Sequence, residues 1–277
     1  MSELIPRVAL NSGTEIPQLG IGVFLVDPAT TQANVEQALE LGYRHIDTAT
    51  GYHNETEVGK AIKASGLARD ELFITTKFSN VDHRTGDVKG AFNRSLEMLD
   101  SDYVDLYLIH WPMPKLGKFV QTWLEFEEFY RAGQAKAIGV SNFMIENLEQ
   151  LAANATVTPA VNQVELHPLF QQRELRAYLA KVGIKVEAWG PLGQGRFKLD
   201  EIPTLTTVAQ AHGKTPAQVI LRWHIQEGTV IFPKANSLEH QKANLDIFDF
   251  ELSEAELTAI RALDTGHRLA ADPAEVN

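Results

Sequence analysis

Residues 43–52 read Tyr43-Arg44-His45-Ile46-Asp47-Thr48-Ala49-Thr50-Gly51-Tyr52, and Asn54-Glu55-Thr56-Glu57 follows shortly after. The first half alternates as a short strand does. Asp47 falls where that strand should stop, and small and polar residues carry the loop. Asn54 to Glu57 has the form of a capping box opening a helix that Gly66 closes. The stretch therefore reads as one strand–loop–helix unit. A carboxylate at a strand end is costly to bury without a cation close by. The candidate cation is Lys77, at the end of the next apolar run, and Tyr52 stands in the loop between them.

The same unit recurs along the chain. Short apolar runs at residues 19–23, 45–49, 72–77, 104–110, 135–142, 160–166, 184–189 and 229–232 are each followed by a helical pattern. Asp27-Pro28 opens the first helix, and Thr215-Pro216-Ala217-Gln218 combines a cap, a first-position proline and a third-position glutamine. Asn11-Ser12-Gly13 predicts a hairpin turn ahead of the first run. Eight units with short connections predict an α/β fold: a single (β/α)8 TIM barrel over residues 1–277, with an N-terminal β-hairpin and extra helices. The competing architecture, a doubly wound open sheet, would carry G-x-G-x-x-G after its first strand. Gly20-Ile21-Gly22 lacks the third glycine.

Composition narrows the function. With 277 residues, 44% of them apolar, the chain can bury a large core. Its net charge is -11 and no run of Lys or Arg stands out, which argues against nucleic acid and against anionic membranes as partners. Cysteine is absent, so disulfides, thiolate zinc sites and thiol nucleophiles are excluded. The first seven residues lack the basic and apolar regions of a signal peptide, and no apolar run is long enough to span a bilayer. A cytoplasmic protein is expected.

Polar side chains stand at the ends of the apolar runs: Asp47, Lys77, His110, Ser141 with Asn142, Gln163, Trp189 and Lys234. In a barrel these ends share one rim, where sites are built. Each residue alone has a bland reading. Asp47 and Lys77 could be a structural ion pair, His110 a satisfied histidine, and Tyr52 an ordinary half-buried aromatic. Their convergence on one face favours chemistry, and carbonyl reduction fits the set. Hydride arriving at a carbonyl carbon leaves an oxyanion that needs a proton. A phenol with a pKa of about 10 is a reluctant donor near neutrality. A neighbouring ammonium makes it more acidic, so Lys77, held charged by Asp47, should tune Tyr52. His110 can donate a hydrogen bond to the carbonyl oxygen. Trp189 offers a flat face for a nicotinamide, and Ser141, Asn142 and Gln163 can bind its carboxamide.

Taken together, these pieces resemble the aldo-keto reductase family. The matching segments include Gly42 to Ala49 with Tyr52, Thr75-Thr76-Lys77, Leu108-Ile109-His110-Trp111-Pro112, Ile138-Gly139-Val140-Ser141-Asn142-Phe143, Asn162-Gln163-Val164-Glu165-Leu166-His167-Pro168 and Phe232-Pro233-Lys234. Trp189-Gly190-Pro191-Leu192-Gly193-Gln194-Gly195 looks closest to the bacterial 2,5-diketo-D-gluconate reductases. The resemblance implies a monomeric, metal-free enzyme that reduces aldehydes or ketones with NADPH. It implies Tyr52 as proton donor, Lys77 and Asp47 as its tuning pair, His110 as orienter, and Phe24, Tyr52, His110 and Trp111 as the substrate wall. Cofactor contacts would come from Val23, Phe24 and Asp47, then Ser141, Asn142, Gln163 and Trp189. The loop carrying Gly190, Pro191, Leu192, Gln194 and Gly195 would add to them. Phe232, Lys234, Ala235 and Asn236, then Ser237, His240 and Asn244, would meet the adenosine end.

Three residues depart from the family pattern. Ala235 replaces a hydroxyl, His240 an arginine, and Ala243 an acidic or amide residue. An imidazole cannot make the two-pronged phosphate contact of a guanidinium. A weakened NADPH preference is expected, with NADH usable. Phe24 in place of a tryptophan suggests a roomier pocket. Two rival readings are a nucleotide-sensing barrel and a metal-dependent barrel hydrolase, the latter using His45, Asp47, His110, Glu165 and His167.

Overall fold

The computed structural model describes residues 5–277. Two short strands, β1 (Arg7–Ala9) and β2 (Glu15–Pro17), pair antiparallel around the Asn11-Ser12-Gly13 turn. Eight parallel strands follow in sequence order around one sheet: β3 (Ile21–Gly22), β4 (His45–Asp47), β5 (Phe73–Phe78), β6 (Val104–Ile109), β7 (Ala135–Ser141), β8 (Val161–Glu165), β9 (Lys185–Trp189) and β10 (Val230–Ile231). A parallel bridge from Leu19 to Ile231 closes the ring. At this seam Gly20 N–H donates to the Ile231 carbonyl at 2.8 Å, and Ile231 N–H to the Gln18 carbonyl at 2.9 Å. A side chain at Gly22 would come within 2.6 Å of the Phe232 carbonyl oxygen, so glycine lets the last and first strands approach. The fold is the expected (β/α)8 barrel with its hairpin.

Strand periodicity sorts the side chains into an inner and an outer layer. On β5, Ile74 and Phe78 join the outer core against the helices, while Phe73 joins the inner one. Lys77, four residues after Phe73, therefore points into the barrel. The same count turns Leu106, Leu108 and then His110 inward from β6. The lower interior is apolar: Leu10 and Ile16 of the hairpin meet Phe73, Leu106, Leu108, Val161 and Val230. The hairpin thus plugs the bottom and leaves the top open. Outside, Phe126 of the helix Phe119–Arg131 stacks on Tyr107 at 4.3 Å, and Phe129 stacks on Phe92 at 4.4 Å.

Most helices begin where the sequence signals them. Asp27 caps the helix Pro28–Glu40, and Thr215 with Gln218 forms a full capping box. Two readings need correction. Asn54 precedes the helix Glu55–Ser65 but makes no side-chain cap. Its amide instead ties strands together, accepting from the Thr48 hydroxyl at 3.0 Å and donating to the Val23 carbonyl at 3.0 Å. A further helix, Asn80–Thr85, follows β5 where none was expected; Ser79 caps it. No helix among the described residues is long and apolar enough to cross a membrane.

Candidate active site

The open end of the barrel holds a cavity of about 700 Å³. Asp47, His110, Ser141, Asn142, Gln163 and Trp189, read from the sequence as rim residues, line it together with Tyr52 of the loop after β4. Lys77 lies just beneath, fully buried.

The Lys77 ammonium has three hydrogens and three acceptors. It donates to Asp47 Oδ1 at 2.6 Å, to the Thr48 carbonyl at 2.9 Å and to the Tyr52 hydroxyl oxygen at 3.2 Å. Burial works against the charge, but Asp47 and Tyr52 outweigh it and hold the Lys77 pKa above its ordinary value. Because Lys77 donates into the phenol oxygen, the phenol's own hydrogen is free for another partner. Tyr52 sits on a 3-10 turn, Thr50–Tyr52, followed by His53 in the left-handed region. Its ring lies 5.0 Å from Phe24 and 5.7 Å from His110, centroid to centroid.

One expectation is corrected here. The Lys77 charge does pull the Tyr52 pKa down, but burial outweighs it and the net shift is upward. Burial and the Lys77 charge push the His110 pKa down to about 3, so His110 is a neutral imidazole with one N–H to donate.

The amides beside the cavity are locked. Asn142, with a positive φ of 63°, gives its Nδ2 to the His110 carbonyl and the Ser141 hydroxyl, while its Oδ1 accepts from the Trp189 indole at 2.8 Å. Ser141 Oγ donates to the Gln163 carbonyl at 2.8 Å. Gln163 Nε2 donates to Asp47 Oδ2 at 2.8 Å and to Glu187 Oε2 at 2.9 Å.

Of the residues expected around a cofactor, Phe24, Gly190, Pro191, Leu192, Gln194, Gly195, Phe232 and Lys234 line the cavity. Val23 does not: it is buried, and its carbonyl holds Asn54. Beyond Lys234 the helix Leu238–Leu245 begins, its first turn capped by Ser237, whose Oγ accepts from His240 N–H. Asn236 and His240 are exposed there, and Asn244 is buried. Ala235 is buried too, and its carbonyl accepts from Asn34 and Gln241.

Five lining residues escaped the sequence reading: Gly22, Leu25, Arg196, Pro233 and Ala270. Ala270 belongs to the C-terminal segment, which gives no periodic signal. Glu165 holds that segment, accepting from Leu269 N–H at 2.6 Å and Ala270 N–H at 3.1 Å, with His167 Nε2 at 3.0 Å. Arg196 donates to the Leu269 carbonyl. Glu165 and His167 do share a face, as their spacing predicts, but they anchor the tail. Among the described residues no three His, Asp or Glu side chains are grouped to hold a metal ion.

The model of the aldo/keto reductase family matches residues 18–265. The chain belongs to this family. An aldo-keto reductase of Mycolicibacterium smegmatis is 49% identical over 98% of both chains. The methylglyoxal reductase DkgA of Escherichia coli is 44% identical over 96% of both. Among solved structures, an aldo/keto reductase from Brucella melitensis superposes with a TM-score of 0.90 at 50% identity, covering 94% of this chain and all of that one. An aldo-keto reductase of Bombyx mori in complex with NADP superposes with a TM-score of 0.89 at 34% identity, covering 96% and 95%. The aldo-keto reductase match spans the whole barrel ring, from the closing bridge at Leu19 through β10.

Proposed function

We propose that this chain, acting as one barrel domain and as a cytoplasmic monomer, reduces aldehydes or ketones to alcohols with NADPH. The observation that carries the reading is the Lys77 ammonium donating into the Tyr52 oxygen. That contact leaves the phenol proton free to be given into the cavity. Tyr52 is the general acid: it gives this proton to the carbonyl oxygen and draws on Lys77 to stabilise the phenolate left behind. Asp47 keeps Lys77 charged. His110, neutral, donates to the same carbonyl oxygen and orients it. Phe24, Trp111 and Tyr52 form the apolar wall.

The cavity suits a nicotinamide dinucleotide. Trp189 offers a flat surface, and Gln163 leaves its Oε1 for a carboxamide. Lys234 and the N-terminus of the helix Leu238–Leu245 offer charge and N–H groups to a phosphate. Bound there, the reduced nicotinamide supplies hydride. Ala235 has no polar side-chain atom to offer a 2′-phosphate, and His240 lacks a guanidinium, so NADH is accepted as well. Methylglyoxal-like dicarbonyls and keto-sugar acids, 2,5-diketo-D-gluconate among them, are the first substrate classes to try. The E. coli relative carries the methylglyoxal reductase name.

The test is a panel of dicarbonyls, keto-sugar acids and aromatic aldehydes, followed by loss of nicotinamide absorbance with NADPH and with NADH. Reduction of at least one class, unaffected by a chelator, is expected. No reduction of any member, with the nucleotide still bound, would favour a sensing barrel. Activity abolished by the chelator would favour the metal-dependent reading.

A further inference from the structure

Glu187 lies directly beneath the site and the chemistry above does not use it. It projects into the barrel from β9, opposite Gln163 of β8 in the register, and is fully buried. Gln163 Nε2 carries two hydrogens, and both are taken: one by Asp47 Oδ2 at 2.8 Å, the other by Glu187 Oε2 at 2.9 Å. Turning the amide over would set Gln163 Oε1 against the Asp47 carboxylate oxygen in a dry interior, where such a contact is costly. Among the described residues Oε1 has no partner, and Gln163 lines the cavity. Its neighbours are committed: both Asn142 amide hydrogens are engaged, and Ser141 donates to a backbone carbonyl.

We propose that Glu187 is a positioning residue for the nicotinamide end of the site: with Asp47 it takes both amide hydrogens of Gln163 and so presents Gln163 Oε1 as a fixed acceptor for a ligand N–H. The inference rests on the cofactor reading above and adds a residue to it. A carboxyl suits the task because it can remain next to Asp47 as a neutral acid. Burial, reinforced by the Asp47 charge, pushes its pKa up to about 8. An apolar residue at 187 would leave one Gln163 N–H unpaired. The amide would then turn a donor toward the cavity, facing the ligand's own N–H.

The test compares two cofactors by tryptophan-fluorescence titration without substrate: NADPH, and its 3-acetylpyridine analogue, whose methyl ketone lacks the carboxamide N–H. Glu187→Met should weaken NADPH about fivefold, the scale of one hydrogen bond, and leave the analogue unchanged. Glu187→Gln, which keeps an acceptor oxygen, should restore the parent ratio. Glu187→Leu is the second truncation should the methionine variant fail to fold. An unchanged ratio in the truncations overturns the proposal. Equal weakening of both ligands would mean a merely structural role, and a Glu187→Gln variant that matches Glu187→Met also overturns it. A parent protein that binds neither nucleotide would instead overturn the cofactor reading itself.

Discussion

At Tyr52 two effects oppose each other. Burial raises the phenol pKa and Lys77 lowers it, with burial ahead. The chemical value of Lys77 therefore lies in stabilising the phenolate as the proton leaves. Lys77→Met should cut turnover by about two orders of magnitude or more. It should also destabilise the fold by roughly 3–5 kcal/mol, since Asp47 is left buried without its cation. Steady-state kinetics and a denaturant titration read the two effects separately. Beyond the cavity, on the helix Leu238–Leu245, His240 is exposed and free to be exchanged. His240→Arg should tighten NADPH about tenfold by restoring a forked phosphate contact, with little change for NADH. Equal gains for both cofactors would place His240 away from the 2′-phosphate.

The loop after β4 is the element on which Tyr52 depends. A reading by local pattern makes Asn54 a helix cap, because the four residues Asn54 to Glu57 fit that pattern. In the fold its amide bridges Thr48 and the Val23 carbonyl, partners that sequence spacing does not reveal. Asn54→Ala removes both bonds. It should cost about 1–3 kcal/mol of stability and reduce turnover more than cofactor affinity, because the displaced group is the proton donor's loop. Loss of cofactor affinity with turnover intact would contradict this. The inner-facing residues were legible because strand alternation is strict: a run ending in Lys77 or His110 turns that residue inward once its apolar partners are assigned. The C-terminal segment was not. Ala270 reaches the cavity through backbone N–H groups held by Glu165, and backbone donors leave no mark on a sequence. Glu165 and His167 did stand out as a same-face pair, and only the fold tells an anchor from a ligand pair.

For the whole molecule, eight repeated units read in order were enough to give the barrel. The closing seam was not legible, since it depends on Gly22 meeting the Phe232 carbonyl across the full length of the chain. Buried titratable groups in this interior also set the response to pH. His45, His110 and His224 are pushed down to about 3 and His83 to about 4, burial being the largest cause in each. They stay neutral in the fold while the unfolded chain binds protons below about 6.5. Stability should therefore be lost as pH falls from about 6.5 toward 4, by up to about 1.4 kcal/mol per pH unit for each histidine. Glu187 acts in the opposite sense. Its raised pKa makes its share of stability largest below about 4.5 and lost as pH rises toward 8. Urea titrations between pH 4 and 8 should show a steep acid limb, and Glu187→Gln should gain on the parent as pH rises. A flat acid limb would contradict the buried neutral histidines.

Proton donation by Tyr52 is the centre of the account, and Tyr52→Phe tests it most directly. The variant should bind NADPH as the parent does, measured by quenching of tryptophan fluorescence. Its turnover of a carbonyl substrate such as methylglyoxal should fall by about a thousandfold. A phenylalanine variant that still reduces the carbonyl within tenfold of the parent would contradict it.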